Sequence, residues 1–121
     1  MTTPTPRVAE LGHVGLRCHD LARQLAFYTE VLGLAVTDHD DELGIWFLSA
    51  RPETEHHELL LAEGRNVPQE AKLIQQVSFR CARLEDVIGF HRRFREHGVR
   101  LDMIVSHGNA IGVYFYDPEG N

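Results

Sequence analysis

The chain has 121 residues, a formal net charge of −6, 43% hydrophobic and 25% charged residues, the size and mix of one globular domain. The acidic balance argues against a nucleic-acid partner. No apolar run approaches the roughly 18–20 residues needed to cross a bilayer, which argues against a membrane partner.

Met1–Arg7 carries two prolines and three threonines and no apolar signal core, so residues 1–10 read as a flexible N-terminal arm. Residues 11–18 then alternate. Val14, Leu16 and Cys18 form an apolar row and His13, Gly15 and Arg17 a polar one, the period of a strand. Asp20 offers an N-cap. Leu21, Leu25, Tyr28 and Leu32 recur at helical spacing, and Gly33 suits the residue after the helix. Strands are predicted over 34–39, 44–49 and 56–62, with a break at Arg51-Pro52-Glu53-Thr54. Arg65–Lys72 is a polar linker.

The pattern then restarts. Gln76 lies 63 residues after His13, Arg80 63 after Arg17 and Cys81 63 after Cys18. A fixed offset of this kind marks an internal repeat. A strand is expected over 73–81, a helix over 84–97 with Val87, Phe90, His91 and Phe94 on one face, and strands over 99–105 and 110–116 around Ser106-His107-Gly108-Asn109. Asp117-Pro118-Glu119-Gly120-Asn121 reads as a tight turn. The counterpart of strand 56–62 is expected after it, from a longer product or from another chain.

The fold class is therefore α+β: two βαβββ modules, 11–64 and 73–121 joined by linker 65–72, in one domain. They form a cupped, barrel-like mixed sheet with helices on the convex face and an eighth strand missing. The apolar Val14/Leu16/Cys18 row must face the helix, so His13 and Arg17 are expected in the cup, and Gln76 and Arg80 with them. Arg17 and Arg80 suit its rim. Open strand edges predict a homodimer. Cys18 and Cys81, at matching repeat positions, read as reduced packing residues of a cytoplasmic protein.

Of the eight histidines, His19, His39, His91 and His97 suit solvated loops and helix surfaces. His56 and His57 are strand neighbours, so alternation admits only one of them to the cup.

Three stretches resemble the vicinal oxygen chelate superfamily (glyoxalase, bleomycin resistance, extradiol dioxygenase), and most of all extradiol ring-cleavage dioxygenases of the biphenyl-2,3-diol type. They are Leu11-Gly12-His13-Val14-Gly15-Leu16 with Phe27-Tyr28 and Val31-Leu32-Gly33-Leu34; His56-His57-Glu58-Leu59-Leu60-Leu61; and His107-Gly108-Asn109 with Phe115-Tyr116-Asp117-Pro118-Glu119-Gly120. The resemblance implies a small-molecule substrate such as an aromatic diol. It implies a divalent metal, Fe(II) first, with Mn, Ni or Zn as alternatives or no metal at all. By resemblance His13 matches a metal ligand, His57 the acid–base histidine and Tyr116 the tyrosine that hydrogen-bonds substrate. Asn109 and His107 match groups that orient the site. Gln76 stands where that family has its second histidine ligand, and the carboxylate ligand would fall beyond Asn121.

A glyoxalase-like lyase or isomerase would instead draw on His13, Glu58 and Gln76 as metal donors. Strand parity admits His57 or Glu58 to the cup but not both. With the bulkier leucines, Leu59 and Leu61, in His57's row and facing the helix, parity favours Glu58. A third reading is a non-catalytic, drug-resistance type binding protein with Trp46, Phe47, Tyr114 and Tyr116 lining the cup.

Overall fold

The computed structural model describes residues 2–121. The N-terminal arm includes Met1, which lies outside the described residues; 2–13 are exposed and carry no helix or strand. The first regular element is β1 (Val14–Cys18), whose alternation buries Leu16 and Cys18 and leaves Gly15 and Arg17 outward. Helix α1 (Leu21–Ala26) starts where expected: Asp20 is its N-cap, and its carboxylate accepts from the Arg23 N–H at 3.0 Å.

The predicted single helix changes character after Ala26. Phe27–Val31 is a π-helical turn, and Leu32 N–H reaches back to the Phe27 carbonyl. This turn buries Phe27, Tyr28 and Val31 together. Gly33 follows with φ of 77°, left-handed backbone that favours glycine.

Strands β2 (Ala35–Asp40), β3 (Ile45–Ser49) and β4 (Leu59–Glu63) complete a four-stranded sheet of order β1-β4-β3-β2, with β1 and β4 parallel and the other pairs antiparallel. The register is Val14 opposite Leu59 and Leu16 opposite Leu61. Leu59 and Leu61 are buried with Leu16, Cys18 and Leu48, so the larger leucines do face the helices. Gly15 lies on the other face, where a Cβ would come within 3.0 Å of Leu60.

The second half is leaner than the sequence pattern predicts. Helix α2 (Leu84–Glu96) and the hairpin β5 (Leu101–Ser106) and β6 (Ile111–Phe115) form as expected, giving a separate two-stranded sheet. Residues 73–82 form no strand. β1 takes its ladder hydrogen bonds from β4, whereas residues 73–82 pair with no strand among the described residues. A patterned segment becomes a strand only where a ladder partner takes its N–H and C=O groups. The architecture is thus mixed α+β, and the sheets do not close into a barrel.

One core joins the halves. Phe94 of α2 is buried against the cluster from β1, β3, β4 and residues 27–34, and its ring lies 4.3 Å from that of Phe115 on β6. Arg93 Nε donates to the Val31 carbonyl at 2.9 Å. Full burial of a phenylalanine here stabilises the fold by roughly 1.5–3 kcal/mol.

The turn at 117–121 forms, with Gly120 N–H donating to Asp117 O, but it is also an anchor. Asp117 and Glu119 are both buried. Asp117 accepts from Tyr28 Oη and Gln24 Nε2, each at 2.8 Å. Glu119 accepts from the backbone N–H groups of His19 and Asp20 at 2.9–3.0 Å and pairs with buried Arg65 at 3.6 Å. Buried carboxylates persist only when satisfied in this way.

Candidate active site

The sheet face away from the helices carries the histidines. Phe47 pairs with Leu60, and Leu60 with Gly15, in one row across β3, β4 and β1. Cross-strand partners share a face. Against this row the rings of His56 and His57 lie 5.4 and 4.9 Å from the Phe47 ring. The ring of His13, just before β1, lies 4.2 Å from that of His57. His56 Nδ1 and His57 Nδ1 are 2.8 Å apart, and His56 Nε2 is 3.3 Å from Asp38 Oδ2.

The structure therefore brings His13 and His57 together, whereas parity favoured Glu58. β4 begins at Leu59, so residues 56–58 lie ahead of the strand and alternation does not bind them. Glu58 turns instead to the start of the β3–β4 loop, which it closes. Its carboxylate accepts from Ala50 N–H at 2.9 Å and Ser49 Oγ at 3.3 Å, and Arg51 Nε lies 3.6 Å away. For the same reason both histidines of the pair reach the Phe47 side, where alternation allowed one.

The other sequence-derived positions stand apart from this cluster. Gln76 is exposed and donates to Ser78 Oγ at 2.7 Å. His107 and Asn109 sit in the exposed β5–β6 turn, which closes through His107 N–H to Ala110 O. The Tyr116 ring is covered by the Arg100 guanidinium at 3.9 Å, a cation–π contact. Among the described residues no hydrogen bond or ring contact links these four to His13 or His57. The aromatic set of the binding-module reading is divided: Phe47 touches the histidines, while Trp46 stacks on His39 at 4.5 Å.

Desolvation is the largest influence on His57 and, with the adjacent His13 and His56, pushes its pKa below the usual imidazole value. The shift favours the neutral ring, the state that can accept a proton. Asp38 is held below the usual carboxylate range by the His39 backbone N–H and by His56.

A family model for the glyoxalase/bleomycin resistance protein/dioxygenase superfamily matches residues 10–121. The chain belongs to that superfamily. It is 28% identical over 124 aligned residues to biphenyl-2,3-diol 1,2-dioxygenase 3 of Rhodococcus globerulus, covering 98% of this chain and 62% of that protein. It is 27% identical over 119 to a manganese-dependent 2,3-dihydroxybiphenyl 1,2-dioxygenase of Geobacillus genomosp. 3, covering 96% and 36%. The chain thus spans under two thirds of the length of either relative. Among solved structures, the fosfomycin resistance protein FosX of Listeria monocytogenes, complexed with Mn(II) and 1S,2S-dihydroxypropylphosphonic acid, superposes with a TM-score of 0.73 at 18% identity, over 93% of this chain and 85% of that one. This last likeness shows the fold alone. No helix among the described residues is long and apolar enough to cross a membrane.

Divalent metal is a property of superfamily members such as these two manganese proteins. Among the described residues no three His, Cys, Asp or Glu side chains gather as a metal-holding group. His13 and His57 supply two adjacent imidazoles, whereas an iron(II) facial site uses two histidines and a carboxylate. Glu58, the carboxylate nearest in sequence, is engaged elsewhere. The described donors do not make a full set.

Sequence reasoning passed over Asp38, Asp117 and Glu119. Asp38 gave no signal, because a bulge decides which face it takes. The two acids lay inside a turn motif whose composition accounts for the turn without requiring burial.

Proposed function

We propose that the protein is an extradiol dioxygenase-like, divalent-metal-dependent member of its superfamily, acting on a catechol or similar small molecule with adjacent oxygens. The observation that carries this reading is the packing of His57 on His13. A neutral histidine packed beside a candidate donor is placed to accept a substrate hydroxyl proton and return it later. In this reading His13 is a metal donor and His57 the proton-transferring group. Gln76, where the family pattern has a second histidine ligand, is a candidate donor. Tyr116, Asn109 and His107 are candidates to orient substrate. The glyoxalase-like alternative needs Glu58 as a donor, and its carboxylate is committed to Ser49, Ala50 and Arg51.

The test is oxygen consumption and ring-cleavage product formation with 2,3-dihydroxybiphenyl and catechol, after loading the protein with Fe(II), Mn(II), Ni(II) or Zn(II). Oxygen-dependent cleavage with iron or manganese is the expected result. Turnover of a hemithioacetal with nickel or zinc and none of catechol would replace it with the glyoxalase-like reading. Catechol binding without turnover at any metal would leave a binding protein.

A further inference from the structure

The contacts around His57 fix more than its position. A carboxylate can only accept, so the 3.3 Å contact between His56 Nε2 and Asp38 Oδ2 places the His56 proton on Nε2. In a neutral ring the other nitrogen, Nδ1, then carries a lone pair. That nitrogen faces His57 Nδ1 at 2.8 Å, so His57 must be the donor, with its proton on Nδ1. Its own lone pair is left on Nε2. We infer that Asp38 and His56 are positioning residues that set the tautomer of His57 and leave its Nε2 unprotonated, free to take a proton or to bind a ligand.

A second feature of the fold points to the same pair. β2 and β3 slip register between Val36 and Asp38, so that Val36 faces Leu48 and Asp38 faces Phe47, with Thr37 unpaired between them. Without that bulge, Thr37 would pair with Phe47, and Asp38 would fall on the opposite face with Trp46. One inserted residue re-aims the carboxylate onto the face that carries the histidines, a recognised use of bulges. The extra residue is itself tied in: Thr37 Oγ1 donates to the His56 carbonyl. The bulge thus fixes His56 by its backbone through Thr37 and by its ring through Asp38.

This order of protons rests on geometry alone. Its consequence for turnover rests on the proposed role of His57 in proton transfer. The two are tested separately. Long-range nitrogen–proton correlation spectra of the full, metal-free chain, recorded well above the imidazole titration range, report each ring's tautomer. The wild type is expected to show His57 as Nδ1–H and His56 as Nε2–H. In Asp38→Ala the His56 proton is no longer directed, and both rings should relax toward a mixture. In His56→Phe, which keeps a ring against Phe47, His57 alone should lose its Nδ1–H preference. Asp38 and His56 are both more than half exposed, so these variants leave the core intact. Finding His57 as Nε2–H in the wild type, or unchanged in both variants, would overturn the inference whatever the enzyme assays show. If ring cleavage is present, Asp38→Ala should lower kcat by about 10–100-fold, the usual cost of losing a partner that orients a functional histidine, with KM little changed. An absent activity with the predicted tautomers would instead count against the function alone.

Discussion

Tyr28 and Asp117 lie 89 residues apart in the chain and share a buried hydrogen bond of 2.8 Å, with Tyr28 Oη donating to Asp117 Oδ2. The π-helical turn places Tyr28 for this contact, and Gln24, one turn earlier, donates to the same oxygen at 2.8 Å. The carboxylate also accepts from Asn121 and from the Glu119 N–H. The end of the second half is thereby clamped to the first helix by a group that a substitution cannot remove without stranding several donors. Tyr28→Phe should cost about 1.5–3 kcal/mol, the worth of a hydrogen bond to a charged group. Asp117→Ala should cost more, at least about 3 kcal/mol, because Tyr28 and Gln24 are each left buried and unpaired. Urea denaturation of the two variants measures the difference. Equal costs would show that the clamp does not act through its stranded donors.

Alkaline pH should weaken the fold by a definite route. Burial is the main cause, with the negative charge of Asp117 next, that raises the Tyr28 phenol above its ordinary value of 10.0. Burial, then Glu119 and Asp117, likewise push the Cys18 thiol from 9.0 to about 12. For a raised acid the sign is fixed: below the unfolded-state pKa both states hold the proton and the contribution is fully present. Above it the unfolded chain releases the proton while the folded chain keeps it, so stability falls as pH rises toward the folded value. For Cys18 the window opens near 9 and closes near 12. Each group steepens the decline by up to about 1.4 kcal/mol per pH unit. Denaturation midpoints between these limits should drop steadily, and Cys18→Ala should flatten the slope. An unchanged slope in that variant would show that Cys18 does not titrate with unfolding.

Much of the first half is legible because its sequence signals are local. Asp20 caps, the Val14/Leu16/Cys18 row buries, and glycines close the turns, each within a few residues of the element it controls. The strand over 73–81 was equally well patterned, yet it is absent, since pairing depends on a partner strand rather than on its own residues. Which of His57 and Glu58 turns toward His13 was not legible for a related reason. Alternation is a rule about residues inside a ladder, and the ladder starts at Leu59. The bulge at Thr37 and the burial of Asp117 and Glu119 are fixed by contacts with β3 and α1, which no local pattern announces. The family pattern was readable at His13 and at the double histidine, where the geometry then assembled a cluster. It gave no hint that Asp38 belongs to it.

Side-chain placement at 57 and 58 separates two enzyme readings by a pair of substitutions. His57→Ala removes the proposed proton-transferring group and should lower ring-cleavage kcat by about 10²–10⁴-fold, the usual range for general acid–base catalysis. Glu58→Gln keeps the shape of the side chain but weakens its bonds to Ala50 and Ser49. It should cost about 1 kcal/mol of stability and leave kcat near wild type. Steady-state kinetics paired with thermal denaturation reads both effects. A large kcat loss in Glu58→Gln at intact stability would mean that Glu58 swings to the histidine face during turnover, and would revive the glyoxalase-like donor set.

Gln76→His asks whether the second half contributes a donor at all. Gln76 follows His13 at the repeat offset and is exposed, its side chain bonded to Ser78 Oγ. An amide oxygen is a harder, neutral donor that suits magnesium, calcium or manganese, whereas imidazole suits iron, nickel, copper and zinc. If position 76 reaches the His13 site on metal binding, the substitution should tighten Fe(II) and Zn(II) binding by at least about tenfold, or ~1.4 kcal/mol, and Mn(II) much less. Little folding energy is at stake, because the side chain is outside the core. Anaerobic calorimetric titration of wild type and variant with each metal gives the comparison directly. A uniform change across the three metals would point to a nonspecific surface site. No change would place residue 76 outside the donor set.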